Sequence, residues 1–239
     1  MSAPGAAAPR EQGLSLTLGG GARVLFTTRA DGNLSTQRGA GHERGRATRE
    51  QLCGRLSLEW LCASRQVHGA DVHVIRARQA RGGEPVALDA DGHATALHGV
   101  GAMVLTADCM PVAIAGDGAV AMLHAGWRGL AAGVLEQGVR ALRELGAGGE
   151  LEAAIGPCAG ACCYEVGAEV HRAFGEQSKL GDAAGATIDL AAIARERLLG
   201  AGVALVRDVR SCTICDERFF SHRRERERAG RQAGVAWLS

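Results

Sequence analysis

Aromatic side chains are scarce: one Tyr, three Trp and four Phe make up 3% of the 239 residues. A core must therefore be built from Ala, Val, Leu and Ile. A surplus of either charge is missing as well. The formal net charge is +1, so no global field draws the chain to nucleic acid or to an anionic membrane. No apolar run approaches the roughly 20 residues of a membrane-spanning helix. The start shows no basic segment followed by an apolar one, which predicts no signal peptide, a cytoplasmic protein and reduced thiols. A Gly-x-x-x-x-Gly-Lys phosphate loop is also lacking, which excludes a nucleotide site of that kind.

What is present is ordinary in bulk. At 24.7 kDa, 46% hydrophobic and 22% charged, the chain is long enough for one substantial core. Residues 1–12 are low in complexity and predict a disordered tail, leaving 13–239 as a single catalytic domain. Arg23 to Thr28 reads as a strand, and the Gly- and Arg-rich stretch Arg29 to Arg49 as a long loop. A helix is expected over Arg49 to Leu61 and a strand over Val72 to Arg76. Two apolar runs flank Asp108-Cys109-Met110-Pro111, predicting two strand segments joined by a bend. Val120 to His124 is a further strand. Leu130, Val134, Leu135, Val139, Leu142 and Leu145 then follow helical spacing from Trp127 onward. Leu151 to Ile155 and Val203 to Val209 read as strands, and Asp189 as the N-cap of a helix to about Leu199. The mixture is α/β or α+β.

Three residues at the edges of short apolar runs carry chemistry. They are His68 in Gln66-Val67-His68-Gly69, Cys109 in Thr106-Ala107-Asp108-Cys109, and His124 in His124-Ala125-Gly126-Trp127-Arg128-Gly129. Two imidazoles and a thiolate are a ligand set for zinc with a fourth position open, the make-up of a catalytic rather than a structural site. Singly, each also reads as a small buried thiol or a turn histidine, and no zinc-finger spacing links them.

Other motifs have two readings. Trp127-Arg128-Gly129 opens a helix, where orphan N–H groups and an Arg suit an anion; a solvated Arg fits equally well. Asp89-Ala90-Asp91-Gly92 is either a turn or a source of a general base. Cys212-Thr213-Ile214-Cys215, with Cys158, Cys162 and Cys163 upstream, hints at a second, closed zinc site. The upstream spacing is wrong for one, so buried free thiols are the favoured reading. Arg218 to Arg231 interleaves signs as a solvated, salt-bridged helix does, although Ser221-His222-Arg223-Arg224 can turn one Arg toward a ligand.

Taken in order, these segments resemble one family. They are Phe26-Thr27-Thr28-Arg29, Gln66 to Gly69, Asp91, Thr106 to Pro111, His124 to Gly129, Ile155-Gly156-Pro157, Tyr164-Glu165-Val166 and Phe220 to Arg224. The chain is similar to the laccase-domain proteins, labelled multicopper polyphenol oxidases and regarded as zinc-dependent purine nucleoside enzymes. The resemblance implies packed mixed sheets flanked by helices, in α/β/β/α-like layers. It implies zinc, with copper as a substitute, on His68, Cys109 and His124. It implies phosphorolysis of adenosine, inosine, guanosine and methylthioadenosine, and deamination of adenosine. Purine nucleosides and phosphate are then the partners. Asp91 and Asp108 are candidates for proton transfer, and Arg29, Gln66, Arg128 and Tyr164 for substrate binding. In the N-terminal third, Asp31-Gly32-Asn33-Leu34 and the Gly/Arg-rich loop replace the family's usual Gly-Gly and Ser-Leu-Asn-Leu segments, which bears on substrate preference.

Rival readings are weaker. Copper-dependent polyphenol oxidation needs several coppers held largely by imidazoles, and the chain has eight His with two in the site. A cytidine-deaminase-type site needs His-x-Glu and Pro-Cys-x-x-Cys; no His-x-Glu occurs, and Pro157-Cys158 is followed by Cys162, one residue too far. Hydrolytic editing of cell-wall precursors at the same zinc is the remaining alternative. A non-enzymatic, zinc-stabilised binding module would need a closed four-ligand site.

Overall fold

Alternation along two strands explains the architecture. In β7 (Met110–Asp117) and β8 (Ala119–Ala125), Val112, Ile114, Ala121 and Leu123 face one apolar cluster. The intervening Ala113, Ala115, Val120 and Met122 face another. Successive strand side chains point to opposite sides, so strands that are apolar at nearly every position must be covered on both faces. In the computed structural model, which describes residues 13–36, 42–77, 88–175 and 186–239, both covers are present.

Helices supply one cover. α3 (Val134–Glu144) and α5 (Leu190–Gly200) bury Val134, Leu135, Val139, Leu142, Ile193, Ala194 and Leu198 in the cluster with Ile114 and Leu123. A second sheet supplies the other. Val24 and Phe26 of β2 (Arg23–Phe26), Ala102 and Val104 of β6 (Val100–Thr106), and Ala236 of β11 (Gln232–Trp237) pack against Ala113, Ala115 and Met122. Much of this interlayer is Ala and Val, as the scarcity of aromatics requires. The far face of the second sheet packs Leu25, Met103 and Val235 against Leu52 of α1 (His42–Arg55) and Leu58 beyond it. The layers therefore run α/β/β/α.

The five-stranded sheet has the order β1-β2-β11-β6-β3, with β1 at Leu14–Thr17 and β3 at Trp60–Cys62. The six-stranded sheet has the order β10-β9-β7-β8-β5-β4, with β4 at Val72–Ile75, β5 at Gly92–Thr95, β9 at Gly148–Ile155 and β10 at Val203–Asp208. The pairs β3–β6, β4–β5 and β9–β10 are parallel and the others antiparallel, so both sheets are mixed.

Three expectations are corrected. α1 starts at His42, seven residues before Arg49, because 42–48 carries no apolar stripe that would announce a helix, and it ends at Arg55 rather than Leu61, with Trp60 and Leu61 in β3. The expected helix from Trp127 is two: α2 (Trp127–Ala131) is capped by Ala132, and Gly133, with a φ of +93°, precedes α3. Glycine takes that left-handed conformation without a Cβ clash. The charged run 218–231 is not a long helix; it holds α6 (His222–Glu225) and a 3-10 turn (Arg226–Arg228). Asp189 does cap α5, accepting the Ala192 N–H at 2.9 Å. α4 (Ala168–Phe174) completes the helices named here. The tail 1–12 lies outside the described residues.

Candidate metal centre

Strand register gathers the three candidate ligands. Pro111 pairs with His124 across β7–β8, so Cys109, in the bend that carries the chain from β6 in one sheet to β7 in the other, ends beside His124. Gly92 pairs with Leu123 across β5–β8, which sets Asp91 next to His124; the His124 N–H donates to the Asp91 carbonyl at 2.6 Å. His68 arrives from the turn between β3 and β4. That turn is tight: His68 has φ +60°, and an L-residue held there costs of order 1 kcal/mol. The Asp91 carboxylate offsets this by accepting the N–H groups of Val67 (3.0 Å), His68 (2.9 Å) and Gly69 (2.7 Å).

The ligand atoms of His68, Cys109 and His124 lie within 4.8 Å of one another. His68 Nε2 is 3.8 Å from Cys109 Sγ, and the two imidazoles meet edge to face with centroids 4.9 Å apart. Two glycines keep the space clear. A Cβ on Gly126 would stand 3.0 Å from His68 Cδ2 and 3.1 Å from Cys109 Sγ; one on Gly129 would stand 2.6 Å from the Gly69 carbonyl oxygen.

His124 Nδ1 is 2.7 Å from Asp91 Oδ1. An ionised carboxylate only accepts hydrogen bonds, so Nδ1 carries a proton and Nε2 is the nitrogen left to face a metal. Asp91 is fully buried. Burial alone would raise its pKa, but the His124 hydrogen bond and the Gly69 and Val67 N–H groups hold it below the usual carboxylate range. Burial likewise opposes a thiolate at Cys109, yet His124 and then His68 bring its pKa down to about 6. At His124 burial is outweighed by Cys109 and Asp91, and the imidazole is pushed up to about 9. The common direction is that this point attracts positive charge, and a thiolate, two imidazoles and a buried carboxylate behind one of them fit zinc.

The other expected residues fall into two groups. Asp108, with φ +89°, is held on both oxygens: Thr213 Oγ1 donates to Oδ1 at 2.7 Å and the Arg223 N–H to Oδ2 at 2.6 Å. Arg223 in turn lies over the Tyr164 ring, 4.8 Å from its centroid, and burial raises the Tyr164 hydroxyl pKa. Arg128 is exposed, stacks on Trp127 at 4.2 Å, and has no carboxylate partner among the described residues. It begins a helix of only five residues, so the expected helix-terminus anion site loses its long dipole. Gln66 and Arg29 face structural duties instead. The Gln66 amide pairs with both backbone groups of Leu105, at 2.8 and 2.7 Å, as another strand would. Arg29 donates to the Phe219 carbonyl at 2.9 Å, pairs with Glu225 and stacks on Phe220.

Thr213 and Glu225 form a support with Arg223 and Arg224, and motif reading singled out only the two arginines. Arg224 donates to the carbonyls of Thr213, Ile214 and Phe219; such contacts join distant segments and leave no local pattern. Buried thiols describe Cys158, which is 8% exposed. They do not describe Cys162 and Cys215, which are exposed and lie with Cys163 and Cys212 in a second cluster.

Residues 14–239 match the family model described as multi-copper polyphenol oxidoreductase laccase, and the chain belongs to that family. A Xylella fastidiosa protein named purine nucleoside phosphorylase is 43% identical over 212 residues, 82% of this chain and 78% of that protein. The Escherichia coli purine nucleoside phosphorylase YfiH is 37% identical over 183 residues, 72% of each. Among solved structures, that of the Neisseria meningitidis protein NMB0706 has a TM-score of 0.81 at 33% identity, covering 96% of this chain and 100% of that one.

Proposed function

We propose that the protein is a zinc-dependent purine nucleoside phosphorylase of the cytoplasm. It cleaves adenosine, inosine, guanosine and methylthioadenosine with phosphate, and deaminates adenosine at the same centre. The observation that carries the reading is the convergence of His68, Cys109 and His124, with Asp91 on the far nitrogen of His124, in a chain related to proteins named purine nucleoside phosphorylase. Among the described residues the only other group able to hold a metal is all cysteine, so nothing resembles the histidine-rich clusters of multicopper oxidation.

His68, Cys109 and His124 hold the metal, which when bound supplies Lewis acidity beside the reacting atoms. Asp91 keeps the Nδ1 proton on His124 and leaves Nε2 to the metal. With four donors on its side chain and no exposed surface, Asp91 positions His124 rather than exchanging a proton with substrate. Asp108 is the residue for proton transfer: it is half-buried, and each oxygen retains a lone pair beyond its one donor. Arg128 takes phosphate through its uncommitted guanidinium. Tyr164, its hydroxyl kept protonated, donates to the nucleoside. Arg29 and Gln66 act through the walls of the site.

The test is product analysis of adenosine with the zinc-loaded protein, with and without phosphate, beside Cys109→Ala. Adenine that requires both phosphate and Cys109 is the expected result, with inosine in either buffer reporting deamination. Adenosine left intact by zinc-bound protein would refute the purine reading and direct attention to cell-wall precursors. Phenol oxidation by the copper-loaded protein would revive the oxidase reading.

A further inference from the structure

The second cysteine cluster is formed by two loops far apart in sequence. An isolated bridge between Cys158 and Cys212 lays 158–164 alongside 211–216. The Cys158 N–H donates to the Ser211 carbonyl at 3.1 Å and the Thr213 N–H to the Cys158 carbonyl at 2.9 Å. Cys162 and Cys163 from one loop then meet Cys212 and Cys215 from the other, all four sulfurs within 4.8 Å. Cys162 Sγ is 3.5 Å from Cys215 Sγ and 3.6 Å from Cys163 Sγ, and the Cys163–Cys215 pair is 2.9 Å apart. The Gly160 N–H points at Cys212 Sγ at 3.3 Å, an interaction that favours a sulfur carrying negative charge. None of the four is in a disulfide.

We propose that Cys162, Cys163, Cys212 and Cys215 hold a second zinc ion as a closed, four-thiolate structural site. Four sulfurs at zinc–sulfur distances of about 2.3 Å lie about 3.8 Å apart in a tetrahedron. Two observed separations are already near that edge, and the third opens by about 0.9 Å. Cys212 and Cys215 have the Cys-x-x-Cys spacing that presents two sulfurs from one turn; the adjacent Cys162 and Cys163 supply the others from a loop rather than from a second such turn. That departure hides the site from a spacing search. The site also ties the two loops to each other. Thr213, between Cys212 and Cys215, donates to Asp108, the residue before Cys109. A metal here holds Thr213, and through it the bend that carries a ligand of the first centre.

Full-length protein, purified with reductant and without chelator, is loaded with zinc, desalted and assayed for zinc per chain. It is compared with Cys109→Ala, Cys162→Ser, Cys212→Ser and the Cys109→Ala/Cys212→Ser double variant. The expected result is one zinc kept by Cys109→Ala and lost in the double variant, with Cys162→Ser and Cys212→Ser each holding one fewer than wild type. Cobalt(II) in Cys109→Ala reads the ligands directly. Four thiolates give strong sulfur-to-cobalt charge transfer and tetrahedral visible bands, which the double variant lacks. Cys109→Ala leaves all four sulfurs in place, so misfolding of a serine variant does not obscure the outcome. A Cys109→Ala protein without zinc and without cobalt bands overturns the proposal. So does a Cys163–Cys215 disulfide found by peptide mapping of the reductant-purified, alkylated protein.

Discussion

Asp91 and His93, two residues apart, show how position decides what an ionisable side chain does. Asp91 is buried with four donors on its carboxylate. Asp91→Asn removes the charge and sets an amide against the His124 Nδ1–H or the three backbone N–H groups. Zinc affinity is expected to fall about 10–100-fold, the usual consequence of losing a ligand's supporting partner. Competition with a chromogenic chelator measures it, and unchanged affinity would remove Asp91 from the centre. His93 is also fully buried, with Nε2 2.9 Å from Ser64 Oγ. Burial, then the nearby His73, depresses its pKa to about 3. Between there and the ordinary 6.5, the unfolded chain binds the extra proton and the folded one does not. His93 therefore costs nothing above pH 6.5 and destabilises the fold by about 1.4 kcal/mol per unit as pH falls below it. The stability of wild type relative to His93→Gln should drop by about 2 kcal/mol from pH 6.5 to 5 in denaturant titrations. A constant difference would show that His93 protonates in the folded state.

At the scale of elements, the centre depends on where strands stop. β8 ends at Ala125, and a Cβ added at the next residue, Gly126, would stand 3.0 Å from His68 Cδ2 and 3.1 Å from Cys109 Sγ. Gly126→Ala has an acceptable φ, since Gly126 lies at −68°, but its methyl would meet His68 and Cys109. The expected outcome is lost zinc with unchanged far-UV circular dichroism; full zinc occupancy would show that the ligands can retreat. Thr213→Val probes the opposite side. It removes the hydroxyl donor to Asp108 and keeps the shape, so kcat/KM on adenosine should fall about tenfold, the worth of about 1.4 kcal/mol, with the zinc of the first centre retained. Elements were readable where pattern was strong. The strands around Cys109 and His124 and the Asp189 cap followed from apolar runs and a short polar side chain. The start of α1, the break at Gly133 and the brevity of α6 did not. Their causes are a helix with only Leu52 buried in the core, one left-handed glycine, and Arg224 pinned to three carbonyls.

For the whole molecule, the two sheets face each other through a cluster that includes Ala102, Ala113, Ala115, Ala154 and Ala236. Small side chains there let the sheets approach, and the bend at 107–109 can then cross from one to the other in three residues. Ala113→Leu overfills this interlayer and should cost about 1–3 kcal/mol, a fall in Tm of about 2–12 °C for a chain of this length. An unchanged Tm would mean that the sheets part freely. A larger loss in zinc affinity than in stability would show that sheet spacing is transmitted to Cys109.

The sequence by itself determined the ingredients: a core of small aliphatic residues and strands apolar on both faces, because composition and local runs are properties of neighbours along the chain; it offered His68, Cys109 and His124 as candidate ligands through segments that resemble a family. Tertiary structure decided what the ingredients do. It drew Asp91 from candidate base to support for His124, committed Gln66 and Arg29 to backbone and ion-pair contacts, and brought Cys162 and Cys163 to Cys212 and Cys215. Each of these outcomes depends on residues separated by tens or hundreds of positions, and pairing register and loop path, not sequence spacing, set the distances between them.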